Sequence, residues 1–295
     1  MFEQQSKDMV RNLLRTFTEK GQVSGKQDAL AKLKNPDWAK SLGYGHVGRI
    51  LVSDMAAEEC CKFFDELEAR SMKKLTQGIH EFRSKAFLSQ KELFERLAAT
   101  QSPDVLFVTC SDSRIVPNLI TMTEPGELFI IRNAGNIIPP ATARSTGEGA
   151  TLEFAINYLK VRDIIVCGHS NCGAIKAILH PELLQNMPMM AAWLQHATGT
   201  KTILEEQYAE HSDEERMDVA VQENVLVQLE NLRTHPMVAQ CLAEGKLNLH
   251  GWVYQIHTGD VFVYYPELEQ FLPLVEHQEE GKSKGKGSSS RVLTI

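Results

Sequence analysis

The stretch Asp163-Ile164-Ile165-Val166-Cys167-Gly168-His169-Ser170-Asn171-Cys172-Gly173 joins a continuous apolar run to a polar, glycine-bearing end. A short run rich in β-branched residues reads as a strand buried on both faces. His169 and Cys172 follow it three residues apart. A borderline and a soft ligand in that arrangement make half of a zinc site. The pair alone is a weak signal, because short ligand spacings arise by chance. Its meaning depends on whether a second ligand group ends a neighbouring strand.

Working outward, two more runs have the same form. Val105-Leu-Phe-Val-Thr109 ends at Cys110-Ser-Asp-Ser-Arg114, and Leu128-Phe-Ile-Ile-Arg132 ends at Asn133-Ala-Gly-Asn136. Residues 147–160 have the apolar spacing of a helix between strands. Strands alternating with helices imply a parallel sheet covered on both faces, and function collects at the carboxyl ends of its strands. Residues 247–254 and 261–265 read as a hairpin closing the sheet edge. Further helices are predicted at 181–207, with a Met cluster read as core filler or interface, and at 218–233. The expected fold is α/β, a mostly parallel central sheet of four to five strands flanked by helices, with N-terminal helical arms.

Upstream, residues 1–71 form a separate zone, read as a loosely attached helical extension of unknown role. Helices are predicted at 6–20, 28–34 and 54–69. The glycine-rich residues 42–49 lack the Lys-Ser/Thr ending of a phosphate loop and read as a turn region. Residues 72–275 form the main domain, which opens on arm helices at 72–99. Ser89 is the expected cap of the second arm helix, with Glu92 at capping-box distance and Leu93, Phe94 and Leu97 as its buried stripe. Residues 276–295, rich in Gly, Ser and Lys, read as a flexible polar tail.

Composition narrows the function. The 295 residues carry a formal net charge of -7, which argues against a nucleic-acid partner. No apolar run is long enough to span a bilayer, and residues 1–15 have neither a secretory h-region nor transit-peptide character. Six irregularly spaced cysteines, without a signal peptide, point to a reducing compartment and to ligand or catalytic roles. A cytoplasmic location is expected.

Cys110, His169 and Cys172 together offer two sulfurs and a nitrogen, the donor set of tetrahedral zinc. Asp112 can be a fourth ligand, or Arg114 can hold it aside through a bidentate pair. The first arrangement closes the site; the second leaves the open position of catalytic zinc. Cys167 with Cys172 lacks the Cys-x-x-Cys spacing of a redox pair and reads as a structural thiol. Cys60, Cys61 and Cys241 read as packed or bystander thiols, and His250 and His257 as structural.

Cys110-Ser-Asp-Ser-Arg114, Arg132-Asn-Ala-Gly-Asn136 and Cys167-Gly-His-Ser-Asn-Cys-Gly173, in that order, resemble the β-class carbonic anhydrases. The resemblance spans about residues 72–265. Asn118-Leu-Ile120, the Ile-Ile-Pro-Pro140 extension and His250-Gly-Trp-Val-Tyr254 resemble the cyanobacterial carboxysomal branch. The resemblance implies one zinc per subunit on Cys110, His169 and Cys172, with Asp112 and Arg114 as a gating pair. In the closed state Asp112 would itself bind the metal. It implies reversible hydration of CO2 to bicarbonate by zinc-bound hydroxide. It also implies a homodimer or a multiple of dimers, in which Gln101, nine residues before Cys110, reaches a neighbouring subunit's pocket to hold bicarbonate. Carboxysome components become candidate partners, and the location is either free cytoplasm or a carboxysome. Phe107 stands where the bicarbonate-inhibited branch has Trp, which speaks against that regulation. Two other functions fit the same residues. One is hydrolysis of carbonyl sulfide or carbon disulfide. The other is a zinc-stabilised scaffold with a closed site, which the Asp112–Arg114 pair and Gln101 argue against.

Overall fold

The computed structural model describes residues 2–21, 23–33, 54–143 and 146–274. The predicted turn region at 42–49 and the polar tail lie outside the described residues. The chain divides into two compact units, Met1–Ala98 and Ala99–Ile295.

The first unit is helical. Helix α1 (Phe2–Glu19), α2 (Lys26–Leu33) and α3 (Asp54–Glu81) correspond to the three helices predicted there. The apolar spacing of α1 buries Val10, Leu13, Leu14 and Phe17 with Val23, Ala29 and Cys60. Burial pushes the Cys60 thiol up to about 11, so it packs as an uncharged side chain. Arg11 crosses from α1 to α3, meeting the buried Glu59 at 2.8 Å and Glu66 at 3.1 Å. A buried carboxylate needs such a partner.

Two expectations in this unit are corrected. Helix α3 runs through Met72 without a break, and a π turn at Phe82–Ala86 continues it to Ser89. Ser89 does not cap the next helix; its hydroxyl donates back to the Ala86 carbonyl at 2.9 Å. The break comes at Gln90 (φ -115°, ψ 24°), and helix α4 follows as Lys91–Ala99. Leu93, Phe94 and Leu97 are only half-buried. Phe94 instead sits in an aromatic group, with ring centroids 5.8 Å from Phe82 and 5.1 Å from Phe87.

The second unit holds a mostly parallel sheet of order β2-β1-β3-β4-β5-β6. Strands β1 (Val105–Cys110), β2 (Leu128–Asn133), β3 (Asp163–His169) and β4 (Asn248–Tyr254) pair in parallel. Strands β5 (Val261–Tyr265) and β6 (Gln270–Pro273) add antiparallel pairings. The sheet thus has six strands, where four to five were expected. The extra one is β6, whose four residues are too short for a periodic signal and end in proline, a residue confined to strand ends and edges.

Between strands run α5 (Gly147–Phe154), α6 (Gly173–Leu179), α7 (Pro188–Leu194), α8 (Thr198–Gln207), α9 (Asp213–Arg233) and α10 (Pro236–Ala243). The predicted helix at 181–207 is broken into short pieces, with 3-10 turns at Pro181–Leu184 and Gln195–Ala197. Pro181 and Pro188 each start a new piece, because proline is tolerated in the first turn and breaks an interior. Helix α9 starts five residues earlier than its apolar stripe suggested, capped by a reciprocal Ser212–Glu215 box.

Helix α9 lies close over β3 and β4 because glycine faces it from both. A Cβ on Gly168 would stand 2.9 Å from Val225 Cγ2, and one on Gly251 would stand 3.0 Å from Val225 Cγ1. The strand period sorts the two faces: Leu106, Val108 and Cys110 join the main core, while Phe107, Ile165 and Cys167 form a second cluster.

Candidate metal centre

The chain leaves β1 for β2 on one side and reaches β3 on the other, so the sheet order reverses at β1. The crevice at the carboxyl ends of β1 and β3 is where such a sheet binds ligands. Cys110 ends β1, His169 ends β3, and Cys172 stands at the N-cap of α6. Their ligand atoms lie within 4.8 Å of one another, and all three side chains are buried. The sulfurs of Cys110 and Cys172 are 3.8 Å apart.

The chemistry of the three groups fits a thiophilic divalent metal. His169 is fully buried, and its Nδ1 lies 3.0 Å from the Ser170 carbonyl. A carbonyl only accepts, so the proton belongs on Nδ1 and the lone pair on Nε2. That Nε2 has no hydrogen-bond partner. A buried acceptor without a donor is costly unless something else takes its lone pair. The thiols divide one proton between them. The hydrogen bond from Cys172, helped by the Gly135 amide, draws Cys110 down against the cost of burial. Cys172 moves up, since it donates that bond and faces a charged neighbour. A metal would replace this shared proton, because zinc binds thiolates.

Asp112 is held beside the cluster. Its Oδ1 accepts from the Arg114 backbone amide at 3.0 Å and from Nε at 2.9 Å, and its Oδ2 accepts from Nη2 at 2.7 Å. The guanidinium holds this carboxyl well below the usual carboxylate range. The same Nη2 reaches the Asn171 carbonyl at 3.2 Å, tying the two ligand loops together. Asp112 Oδ2 stops 3.9 Å from His169 Nε2.

Three site residues had no assigned job in the sequence. Arg132 donates to the Cys110 carbonyl at 3.1 Å and to the Asp112 carbonyl at 2.8 Å, which fixes the turn after β1. The Gly135 amide lies 3.4 Å from Cys110 Sγ. Trp193 donates its indole N–H to the Ala134 carbonyl at 2.8 Å. The Arg-Asn-Ala-Gly-Asn segment was visible as a motif, but its long-range bonds carry no local spacing signal. Gln101 is exposed in the coil preceding β1, at the strand end opposite Cys110. Cys167 points to the other face of the sheet from Cys110 and stays outside the cluster. Its thiol is pushed up to about 12 by burial.

A buried Cys-His-Cys cluster at the switch point of a mostly parallel α/β sheet, with a clamped carboxylate beside it, is a group that could hold a metal ion. Comparison with known proteins narrows this. A family model described as "Carbonic anhydrase" matches residues 105–261. A carbonic anhydrase of Synechococcus elongatus is 48% identical over 64% of this chain and 70% of its own length. One of Pseudomonas aeruginosa is 45% identical over 70% of this chain and 94% of its own. The solved structure of the β-carbonic anhydrase CcaA matches with a TM-score of 0.69 and 44% identity, covering 70% of this chain and 94% of that one. Tetrameric β-carbonic anhydrases of Sordaria macrospora match at 28% identity over 66% of this chain and 96% of theirs, with a TM-score of 0.60. The chain belongs to the carbonic anhydrase family, in its β class. Among the described residues no helix is long and apolar enough to cross a membrane.

Proposed function

We propose that this protein hydrates CO2 reversibly to bicarbonate and a proton, using one zinc ion held by Cys110, His169 and Cys172. The observation that carries the reading is the unpartnered, fully buried His169 Nε2 beside two sulfurs 3.8 Å apart. Zinc bound there would supply a Lewis acid that brings a water's ionisation near neutral pH. The protein's own residues do the rest. Arg114 keeps Asp112 ionised and turned aside from Cys110, His169 and Cys172, the three residues that would hold the metal. Asp112, as an acceptor only, orients a proton-bearing nucleophile toward CO2. Released by Arg114, the same carboxylate would be free to turn toward the three residues that would hold the metal.

Gln101, carried over from the family pattern, holds bicarbonate in the pocket of a neighbouring subunit. A homodimer or a multiple of dimers belongs to this reading. It is supported by the apolar stripe that α3 leaves in solvent, with Met72, Leu75 and Ile79 each more than half exposed. Residues 72–275 form the catalytic domain with its arm helices, 1–71 a helical extension and 276–295 a polar tail. A cytoplasmic location rests on the cysteine usage, and carboxysome partners on the cyanobacterial resemblance alone.

Stopped-flow CO2 hydration with metal analysis on the full chain tests the proposal. Wild type should hold one zinc per chain and hydrate CO2, and Cys110→Ser should lose both. A Cys110→Ser variant that keeps both would sink the ligand assignment.

A further inference from the structure

The loop after β2 is held with more side chains than a connection needs. Helix α9 presents Asn224, Gln228 and Asn231 along one face, and Asn224 and Gln228 are fully buried. Asn224 donates to the Gly135 carbonyl at 3.0 Å, Gln228 accepts from the Ile138 amide at 2.9 Å, and Asn231 donates to the Ile138 carbonyl at 2.9 Å. A helix that buries polar groups this way gives up apolar contact, so the loop's position must matter.

The centre of that loop is one peptide unit, the Ala134 carbonyl with the Gly135 N–H. Its oxygen accepts from Trp193 Nε1 at 2.8 Å, and its N–H lies 3.4 Å from Cys110 Sγ. Only glycine fits there: φ is +84°, and a Cβ would stand 3.1 Å from Ala174 Cβ. A donor on the carbonyl oxygen draws electron density through the amide and strengthens the N–H as a donor. An N–H on a metal-bound thiolate withdraws charge from the sulfur and fixes its orientation.

We propose that Trp193 is a positioning residue for the metal, acting on Cys110 through the Ala134–Gly135 peptide as a two-bond relay from indole N–H to thiolate. This rests on the reading of Cys110 as a ligand, and it goes beyond that reading by naming what tunes the ligand. Trp193 comes from the segment between α6 and α8, so metal affinity answers to the packing of a helix that supplies no ligand.

The test uses the full chain loaded with Zn2+, or with Co2+ in its place. Two replacements remove the indole N–H: Trp193→Phe, and incorporation of 3-benzothienylalanine at 193, which keeps the indole shape with sulfur in place of N–H. In both, chelator competition should show metal affinity reduced about ten- to hundredfold, the usual effect of removing a group that supports a ligand. The sulfur-to-cobalt charge-transfer band should move to longer wavelength, because a less hydrogen-bonded thiolate gives up an electron more easily. Affinity within twofold of wild type and an unmoved band in the benzothienyl protein would overturn the relay. A shift in Trp193→Phe alone would show that ring packing acts, and would also overturn it. So would loss of folding in both, which would make Trp193 structural. The wild-type metal content separately decides the ligand reading: failure to bind metal there refutes the site, not the relay.

Discussion

Replacing Gln228 with Leu should destabilise the second unit by about 2 kcal/mol through one stranded backbone amide. In the native structure Gln228 Oε1 accepts from the Ile138 N–H at 2.9 Å and from Asn231 Nδ2 at 3.1 Å, while its Nε2 donates to Asn224 Oδ1 at 3.0 Å. The neighbours survive the change. Asn231 keeps the Ile138 carbonyl, and Asn224 Oδ1 keeps the Thr200 hydroxyl at 3.3 Å. The Ile138 amide does not, and its residue is fully buried. A buried donor left without a partner costs about 1–3 kcal/mol, and leucine returns part of the loss in apolar contact. For a domain of this size the change corresponds to a melting temperature lower by roughly 4–8 °C. Differential scanning calorimetry on the full chain measures it, with the exposed Gln240→Leu as a control expected within about 0.5 kcal/mol. A Gln228→Leu protein that melts with wild type would refute the view that α9's polar face holds the 133–141 loop.

Four other outcomes follow from the same structure. Arg114→Ala frees Asp112 from both side-chain bonds, and CO2 hydration near neutral pH should fall about tenfold or more, as expected for the loss of a group orienting site residues; an unchanged rate ends the gating idea. Cys167→Ser should retain zinc, because that thiol sits on the opposite sheet face and is pushed up to about 12, far from the thiolate a ligand requires; loss of zinc would reassign the ligands. Gly168→Ala drives a Cβ to within 2.9 Å of Val225 Cγ2 and should cost about 1–3 kcal/mol, and a melt equal to wild type would contradict the tight seat of α9. Glu223 is raised by burial, so the native state prefers it protonated and its ionisation opposes folding as pH rises above the free carboxylate value. Glu223→Gln should therefore be more stable than wild type at pH 7, with the gain fading below about pH 4; a gain that grows in acid would reverse the assignment.

The strands at 105–110, 128–133 and 163–169 were legible because each is a short apolar run, and burial on both faces of a parallel sheet imposes that pattern. The three candidate ligands were legible for a related reason. Each ligand loop ends such a strand, so chemistry and topology appear together in the sequence. What escaped depends on distant contacts or was masked by a stronger local pattern. The Ser212–Glu215 box was present as a local signal, but the valine and leucine stripe that follows drew the helix start downstream. Asn224, Gln228 and Asn231 share a helical face in the sequence, yet nothing local says that polar residues there are buried under a loop some ninety positions earlier. Trp193 read as part of one long Met-rich helix, and its indole bond to Ala134 exists only once the short helices are folded against the sheet.

The central claim is that Cys110, His169 and Cys172 hold one zinc on which CO2 hydration depends. Stripping the purified full-length protein of metal and titrating Zn2+ back, with stopped-flow hydration followed at each step, tests it directly. The stripped protein should show no hydration above background, the rate should return linearly with added zinc, and it should level off at one zinc per chain. Full activity without metal, or a fully zinc-loaded protein that hydrates no CO2, would contradict it.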